Sequence, residues 1–446
     1  MKLKIKKKKH VTMLSNIIDC SNYTDNGLNG FLNEYEQNEK TKLTGEITDI
    51  YLGLDFGTSY TKVAFQKSRS DRGILDFGNS HFMPSVVFYN NNKRRLSFFE
   101  PKTDAGYTKI LFFKATMVNK SEYDSLRYND GTTPENFEFL CSVFFLANVI
   151  RFCKNKIGAK YNLIPNLYIT MGIPLFDNED DEVIYSKALH SAIQLAEENM
   201  IWDMGIDSLQ KKVNFAMTSF DKDNYDLKKE SQNGTMPELF AESFFIISQR
   251  DFGPGFYFII DIGGGTADFA ILQKDTLIVR DRTEYRYYCP SYLVAPLGNE
   301  VRKKAEAEGY QAERVYNDSF AKTYRSTISL GKLGLQIEGK FHVTRLMFGG
   351  GALETNQPYQ RKEPHYYRYG LKSTISCSFS EGNVPAQNIF GLSQDDYQRL
   401  ITAIQLATPA NRINYLNGYP RNYDYTYHSK EKKDLSVYDP GYDDIG

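Results

Sequence analysis

Ile50-Tyr51-Leu52-Gly53-Leu54-Asp55-Phe56-Gly57-Thr58-Ser59-Tyr60-Thr61-Lys62-Val63-Ala64-Phe65-Gln66 is the stretch that decides the fold. An apolar run ends on the carboxylate of Asp55, turns on Gly57-Thr58-Ser59 and resumes as a second strand. Glycine in a tight hairpin supplies positive φ and lets the backbone approach a ligand closely. Successive N–H groups in such a turn form a concave nest that binds anions. Asp55, at the strand end beside that nest, is placed to hold a hydrated divalent cation.

The same design returns at Phe256-Tyr257-Phe258-Ile259-Ile260-Asp261-Ile262-Gly263-Gly264-Gly265-Thr266-Ala267-Asp268-Phe269-Ala270-Ile271. With Asp55 laid on Asp261, Tyr51 meets Tyr257, Gly57 meets Gly263 and Ala64 meets Ala270. The informative difference is Lys62 against Asp268. Two such units would offer a cation from one side and a carboxylate from the other, the pairing that a metal–polyphosphate needs. A single D-x-G-T hairpin is a common structural turn. Two copies in phase, with Gly349-Gly350-Gly351 after the strand-like stretch 343–348, make a much stronger signal.

These three segments resemble the phosphate-1, phosphate-2 and adenosine motifs of the superfamily that contains actin, heat-shock chaperones of the seventy-kilodalton class and sugar kinases. The resemblance covers roughly residues 48–408 in order, with long poorly matched insertions. It implies an α/β fold of two ribonuclease H-like lobes that clamp Mg-ATP in the cleft between them. Gly57, Thr58, Ser59, Gly263, Gly264, Gly265 and Thr266 would then hold the β- and γ-phosphates through backbone N–H groups. Asp55, Asp261 and Asp268 would bind Mg2+ mainly through its waters, because magnesium keeps its hydration and prefers oxygen ligands. Lys62 matches an actin-type lysine on the phosphates, and Gly349, Gly350 and Gly351 would meet the adenosine, with Pro358 as the proline after that turn.

Further segments carry the same resemblance. Met236-Pro237-Glu238 is similar to the M-P-E of plasmid-segregation actins, which implies that Glu238 orients the attacking water. Chaperones carry their glutamate before the proline, where this chain has Met236. As a purely structural reading, proline and glutamate suit the first turn of a helix, here running from Met236 to about Gln249. Pro84-Ser85-Val86-Val87 resembles a chaperone strand. Residues 109–114 fall where those ATPases carry a lysine that reaches the γ-phosphate, which leaves Lys109 and Lys114 as candidates. Leu297-Gly298-Asn299-Glu300 resembles the turn before the second lobe's insertion, in which Lys322 and Arg325 are candidates for the adenosine.

The implied organisation is a disordered basic and polar extension over 1–46, then lobe I over 47–252 with an inserted subdomain at about 67–160. Lobe II follows over 253–390 with an insertion at about 299–340, then a helix over 391–408 crossing back to lobe I, and a mobile tail over 409–446. Within that frame the patterns predict a helix over 134–156, a strand over 167–173, a helix over 181–200 and a strand over 213–218. A polar loop over 221–234 and helices over 300–308 and 318–328 follow. The last helix, 392–407, has Ser393 as N-cap and Asp395 and Asp396 in its first turn.

At 446 residues the chain can hold two or more domains with real cores. A formal net charge of −1 gives no global attraction to nucleic acid or an anionic membrane. Only the run Lys2, Lys4, Lys6, Lys7, Lys8 and Lys9 suggests a tether to DNA or acidic lipid; such blocks are usually solvated. Cys20, Cys141, Cys153, Cys289 and Cys377 form no C-x-x-C pair, which suggests free thiols in a reducing compartment. The scattered histidines, His81 and His190 among them, suggest no metal cluster. No apolar run reaches the ~18 residues of a membrane-spanning helix, and the basic N-terminus is not followed by a secretory signal. A cytoplasmic protein is expected. The 32 tyrosines and 30 phenylalanines read either as partner interfaces or as composition bias.

There is no Walker loop, no G-x-G-x-x-G in a βαβ context and no G-x-S-x-G, so P-loop, Rossmann and acyl-transfer readings are unsupported. The expected function is a slow Mg-ATP-hydrolysing switch of the chaperone-like kind acting on protein partners. An actin-like filament former is the alternative, favoured by Lys62 and Met236-Pro237-Glu238. A small-molecule kinase comes third, since no acceptor-site carboxylate stands out.

Overall fold

The computed structural model describes residues 26–40, 42–68, 71–101, 106–118, 128, 131, 133–174, 179–198, 202–225, 233–241, 254–263, 266–279, 282–295, 297–334, 345–350, 392 and 394–408. The expectations for the lysine run 2–9, Gly264, Gly265, Gly351, Pro358, Ser393, Cys20, Cys377, the helix beyond 241 and the tail 409–446 lie outside these residues. The fold is mixed α/β. The chain divides into two compact units, one drawn from Val11–Ala241 and Thr402–Arg412, the other from Glu242–Ile401.

The first unit contains, in chain order, α1 (Asn26–Lys40), β1 (Ile47–Phe56), β2 (Tyr60–Gln66), β3 (Arg72–Ile74), β4 (Met83–Pro84), β5 (Val87–Asn90), β6 (Arg95–Ser97) and β7 (Tyr107–Ile110). Then come α2 (Phe113–Val118), α3 (Phe137–Tyr161), β8 (Ile164–Ile173), α4 (Glu179–Ala196), β9 (Asp203–Gly205), α5 (Ile206–Met217) and β10 (Gly234–Pro237). The main sheet has the order β10-β8-β1-β2-β3, with β4 also on β2. β1, β8 and β10 run parallel, while β2 returns antiparallel from β1. A strand flanked on both faces must be apolar on both. Accordingly Leu52, Gly53, Leu54, Asp55 and Phe56 are all buried in succession. A Cβ on Gly53 would stand 2.1 Å from the carbonyl oxygen of Ala403. Glycine here lets the end of the last helix lie directly on the strand.

Residues 1–46 are not all an unstructured extension. Asn26–Lys40 is helical because Phe31 and Tyr35, one turn apart, share a face and bury it. Phe31 meets Phe152 edge-on at 4.6 Å between centroids and Phe77 at 5.4 Å. Polar ties fix the helix's depth: Arg151 bonds both carboxylate oxygens of Glu39 at 2.6 and 2.7 Å, and Lys156 reaches Glu34 at 2.6 Å. The polar composition that suggests disorder is the solvated face of this helix. Many of the described phenylalanines and tyrosines are buried in the core. Among the described residues, the large exposed aromatics are Tyr60, Phe215 and Tyr310.

The segment 67–160 is not a separate insertion. β3 and β4 join the main sheet, α3 is almost wholly buried in the unit's core, and β9, from beyond residue 160, completes a second sheet of order β7-β5-β6-β9. The strand expected over 213–218 is instead part of α5. Ile206, Leu209, Val213 and Ala216 recur at helical spacing and are its buried residues, a period that overrides the β-branched valine. The helix expected from Met236 also starts later, because Met236 and Pro237 pair with Gly172 and Ile173 as the end of β10.

The second unit contains β11 (Gly255–Ile262), β12 (Ala267–Val279), β13 (Arg282–Ala295), α6 (Asn299–Glu308), α7 (Tyr310–Gly334) and β14 (Arg345–Gly350). Its sheet has the order β13-β12-β11-β14, with β11 antiparallel to β12 and parallel to β14. β12 stays paired with β13 out to Val279 opposite Arg282. α7 packs through Phe320 on Phe269 and Tyr324 on Phe258. A Cβ on Gly331 would lie 2.5 Å from Ile271 Cδ1, so helix and strand approach closely there. The last helix, α8, is Gln394–Leu406, and its residues from Thr402 on belong with the first unit.

Candidate functional site

The two hairpins have the same register. Asp55 stands across from Lys62 and Gly53 from Ala64; Asp261 stands across from Asp268 and Ile259 from Ala270. Each aspartate is the next-to-last residue of a strand that has an antiparallel partner on one side and a parallel one on the other. The match extends to the sheets, since β3-β2-β1-β8 and β13-β12-β11-β14 follow one strand order.

In the first hairpin Lys62 Nζ lies 2.5 Å from Asp55 Oδ2, with the aspartate side chain 5% exposed. Gly57 N–H donates to the Asp55 carbonyl at 3.1 Å. A Cβ on Gly57 would fall 2.3 Å from the carbonyl oxygen of Tyr60, so the turn excludes any side chain there. Ser85, just after β4, holds the turn from beneath. Its N–H donates to Ser59 O at 2.9 Å and its hydroxyl to Gly57 O at 2.7 Å, while Thr61 Oγ1 lies 3.0 Å from Ser85 Oγ.

Beside this hairpin lies a second ion pair. Lys114 Nζ is 2.5 Å from Glu238 Oε1, with side chains 4% and 17% exposed. Lys114 is the second residue of α2, not a strand end as its apolar context suggests. The chain enters that helix through Phe112, which adopts φ 59°, a left-handed conformation uncommon for an aromatic residue. Tyr185 donates its hydroxyl to Lys114 O at 3.0 Å, and the Lys114 ammonium sits 5.6 Å from the Phe56 ring centroid. Glu238 follows β10 directly, and Gly172 on β8 makes room for it: a Cβ there would be 2.8 Å from Glu238 Cγ. Lys109, the other candidate cation, lies 3.6 Å from Glu100.

The four charges act on one another. Burial pushes the Glu238 carboxyl above the usual carboxylate range; Asp55 pushes it further, while Lys114 and Lys62 pull it back. All of this is at the carboxyl ends of β1, β8 and β10, the edge where open α/β sheets bind ligands. Thus Asp55, Lys62, Glu238 and the turn Gly57-Thr58-Ser59, each singled out by the sequence, come together in one unit. Sequence reading misses the pairing of Lys114 with Glu238, whose partners are 124 positions apart, and the turn-holding role of Ser85.

No protein-family model matches this chain, and no curated protein does.

In the second hairpin Gly263 N–H donates to Thr266 O at 2.9 Å. Gly349 and Gly350, expected in a turn after a strand, are strand residues of β14 paired with Asp261 and Ile262. Arg325 Nε donates to Ala321 O within α7, and Lys322 is exposed. Carboxylate oxygens suit a hydrated magnesium ion, and Asp261 and Asp268 supply two across one strand pair. Among the described residues, however, no three His, Cys, Asp or Glu gather into a metal-holding group. Cys141, Cys153 and Cys289 are buried free thiols, and burial pushes Cys289 up to about 12, which removes it as a nucleophile. No helix among the described residues is long and apolar enough to cross a membrane.

Proposed function

We propose that this chain binds and hydrolyses Mg-ATP as a conformational switch of the actin and heat-shock chaperone superfamily. In this reading its two units are ribonuclease H-like lobes, each contributing one acidic hairpin to a single nucleotide. The observation that carries it is the shared register of the hairpins within sheets of one strand order, with an aspartate at the equivalent place in each. A chance D-x-G-T turn accounts for one such hairpin and not for the pair.

Hydrolysis of a γ-phosphoryl group is mostly positioning and charge neutralisation. Magnesium held through water by Asp55, Asp261 and Asp268 would neutralise charge on the phosphate oxygens. Turn N–H groups of Thr58, Ser59 and Thr266 would bind those oxygens, whereas those of Gly57 and Gly263, expected among the donors, are already given to the Asp55 and Thr266 carbonyls. Lys62 and Lys114 bring cations to the same edge, and each already faces a carboxylate that a phosphate can displace. Glu238, anchored beside Gly172, is suited to accept a hydrogen bond from water and aim it. The lobes would close on ATP and relax after hydrolysis, a two-state element that a protein partner can read.

Calorimetric titration with ATP, with and without Mg2+, tests the binding, and phosphate release tests the turnover. Asp261→Ala should abolish both. Absence of Mg-dependent ATP binding overturns the proposal. The filament alternative is supported by Lys62 and by Glu238 directly after Met236-Pro237. Light scattering that rises with ATP above a threshold protein concentration would favour it, and its absence at every concentration would remove it.

A further inference from the structure

Ser85 uses both its donors and its acceptor on the first turn. Its N–H donates to Ser59 O at 2.9 Å and its hydroxyl donates to Gly57 O at 2.7 Å. A hydroxyl has one proton. With that proton committed to Gly57, the 3.0 Å contact with Thr61 must run from the Thr61 hydroxyl to Ser85 Oγ. The result is a directed chain, Thr61 to Ser85 to the Gly57 carbonyl, among side chains that are almost completely buried. Hydrogen bonds in such a chain polarise and strengthen one another.

A trans peptide is planar, so its carbonyl and its N–H point in opposite directions. The described chain has no cis peptide. Drawing the Gly57 carbonyl down to Ser85 therefore turns the N–H of Thr58 up, away from the serine. Drawing down the Ser59 carbonyl does the same for the N–H of Tyr60. Alternate peptides of the turn are fixed by one residue with their donors on the face opposite Ser85.

We infer that Ser85, backed by Thr61, is a positioning residue that sets the turn's N–H groups for phosphate oxygens. This rests on the phosphate reading of the turn, and it adds to that reading the residues that preorganise it. Ser85 touches no ligand. Its effect passes through the peptides it holds, so it should appear in phosphate affinity and not in recognition of the nucleoside.

The test compares wild type, Ser85→Ala, Thr61→Val and Thr61→Ser for binding of Mg-ATP, Mg-pyrophosphate and adenosine. Hydrogen exchange of residues 57–60 is followed without ligand. Ser85→Ala should weaken Mg-ATP and Mg-pyrophosphate ~10-fold, the scale of one lost hydrogen bond, and leave adenosine unchanged. Exchange in the turn should quicken. Thr61→Val should move both readouts in the same direction by less, and Thr61→Ser, which keeps the hydroxyl, should restore them. Equal losses for adenosine and pyrophosphate would show general disruption and overturn the inference. Unchanged pyrophosphate affinity in Ser85→Ala, or in Thr61→Val should the first variant fail to fold, overturns it as well. Wild-type protein that binds none of the three probes overturns the phosphate reading itself, a different result from wild-type binding that the variants leave intact.

Discussion

Lys114 Nζ lies 2.5 Å from Glu238 Oε1, a contact between the start of α2 and the residue that follows β10. Removing one member of a buried pair leaves the other charge uncompensated, which costs more than the pair contributes. Glu238→Gln keeps the shape and a hydrogen-bonding oxygen for Lys114 while removing the charge. On the proposed function, turnover in Glu238→Gln falls ~10²–10³-fold, the usual effect of deleting one preorganised electrostatic group. Mg-ATP affinity stays near wild type. Phosphate release at the wild-type rate would retire Glu238 as the water-orienting group.

The pH dependence has a definite sign. Because burial and Asp55 raise the Glu238 carboxyl, ionised glutamate appears only above the ordinary carboxylate range of about 4.3. The acid limb of kcat should therefore stand above that value. Lys114 pulls the carboxyl down, so Lys114→Met should move the limb upward. Stability follows the same linkage: between its unfolded and folded pKa values the folded glutamate holds more proton, so folding stability falls as pH rises through that window. Glu238→Gln, which does not ionise, should show a smaller fall there in urea titrations. An acid limb that Lys114→Met leaves in place would contradict the coupling.

Gly53 and the end of α8 should behave as one structural joint. A methyl added at Gly53 would meet the Ala403 oxygen at 2.1 Å and the Ala407 nitrogen at 2.3 Å, so in Gly53→Ala the helix has to move. Overpacking of this kind costs ~1–3 kcal/mol. The loss should show as a lower urea midpoint, and a midpoint equal to wild type would mean that the helix does not lie on β1.

Phe31 is a fully buried anchor of α1, ringed by Phe77, Phe98, Phe99 and Phe152. Phe31→Ala should destabilise the first unit by ~3–5 kcal/mol, the range for deleting a buried phenylalanine. Equilibrium unfolding reads it directly. A change below about 1 kcal/mol would mean that α1 is dispensable, as its polar composition suggests.

How far the sequence can be read depends on how local the deciding physics is. The hairpin at Asp55 and its copy at Asp261 are legible because the alternation, the carboxylate and the glycine sit within one short window. Strand order is accessible only through resemblance, since the register of β1 on β8 joins residues over a hundred positions apart. Helix α5 reads locally as strand because of Val213 and Phe215, while burial at Ile206, Leu209, Val213 and Ala216 settles the matter at a distance. Helix α1 hides behind its own solvated face. Ser85 and Lys114 stand out by resemblance, yet their partners, Gly57 and Glu238, are set by tertiary contact that no spacing reveals.

The contact of Gly53 with Ala403 also fixes an order of events during synthesis. The strand that leads into the first turn is covered by residues that leave the ribosome after the 160 residues of 242–401. At ~5–20 residues per second the nascent first unit waits roughly ten to thirty seconds with one face of its central strand unsealed. Throughout that interval the growing polypeptide presents sticky surface, and slowing translation through 242–401 should lengthen its exposure to aggregation.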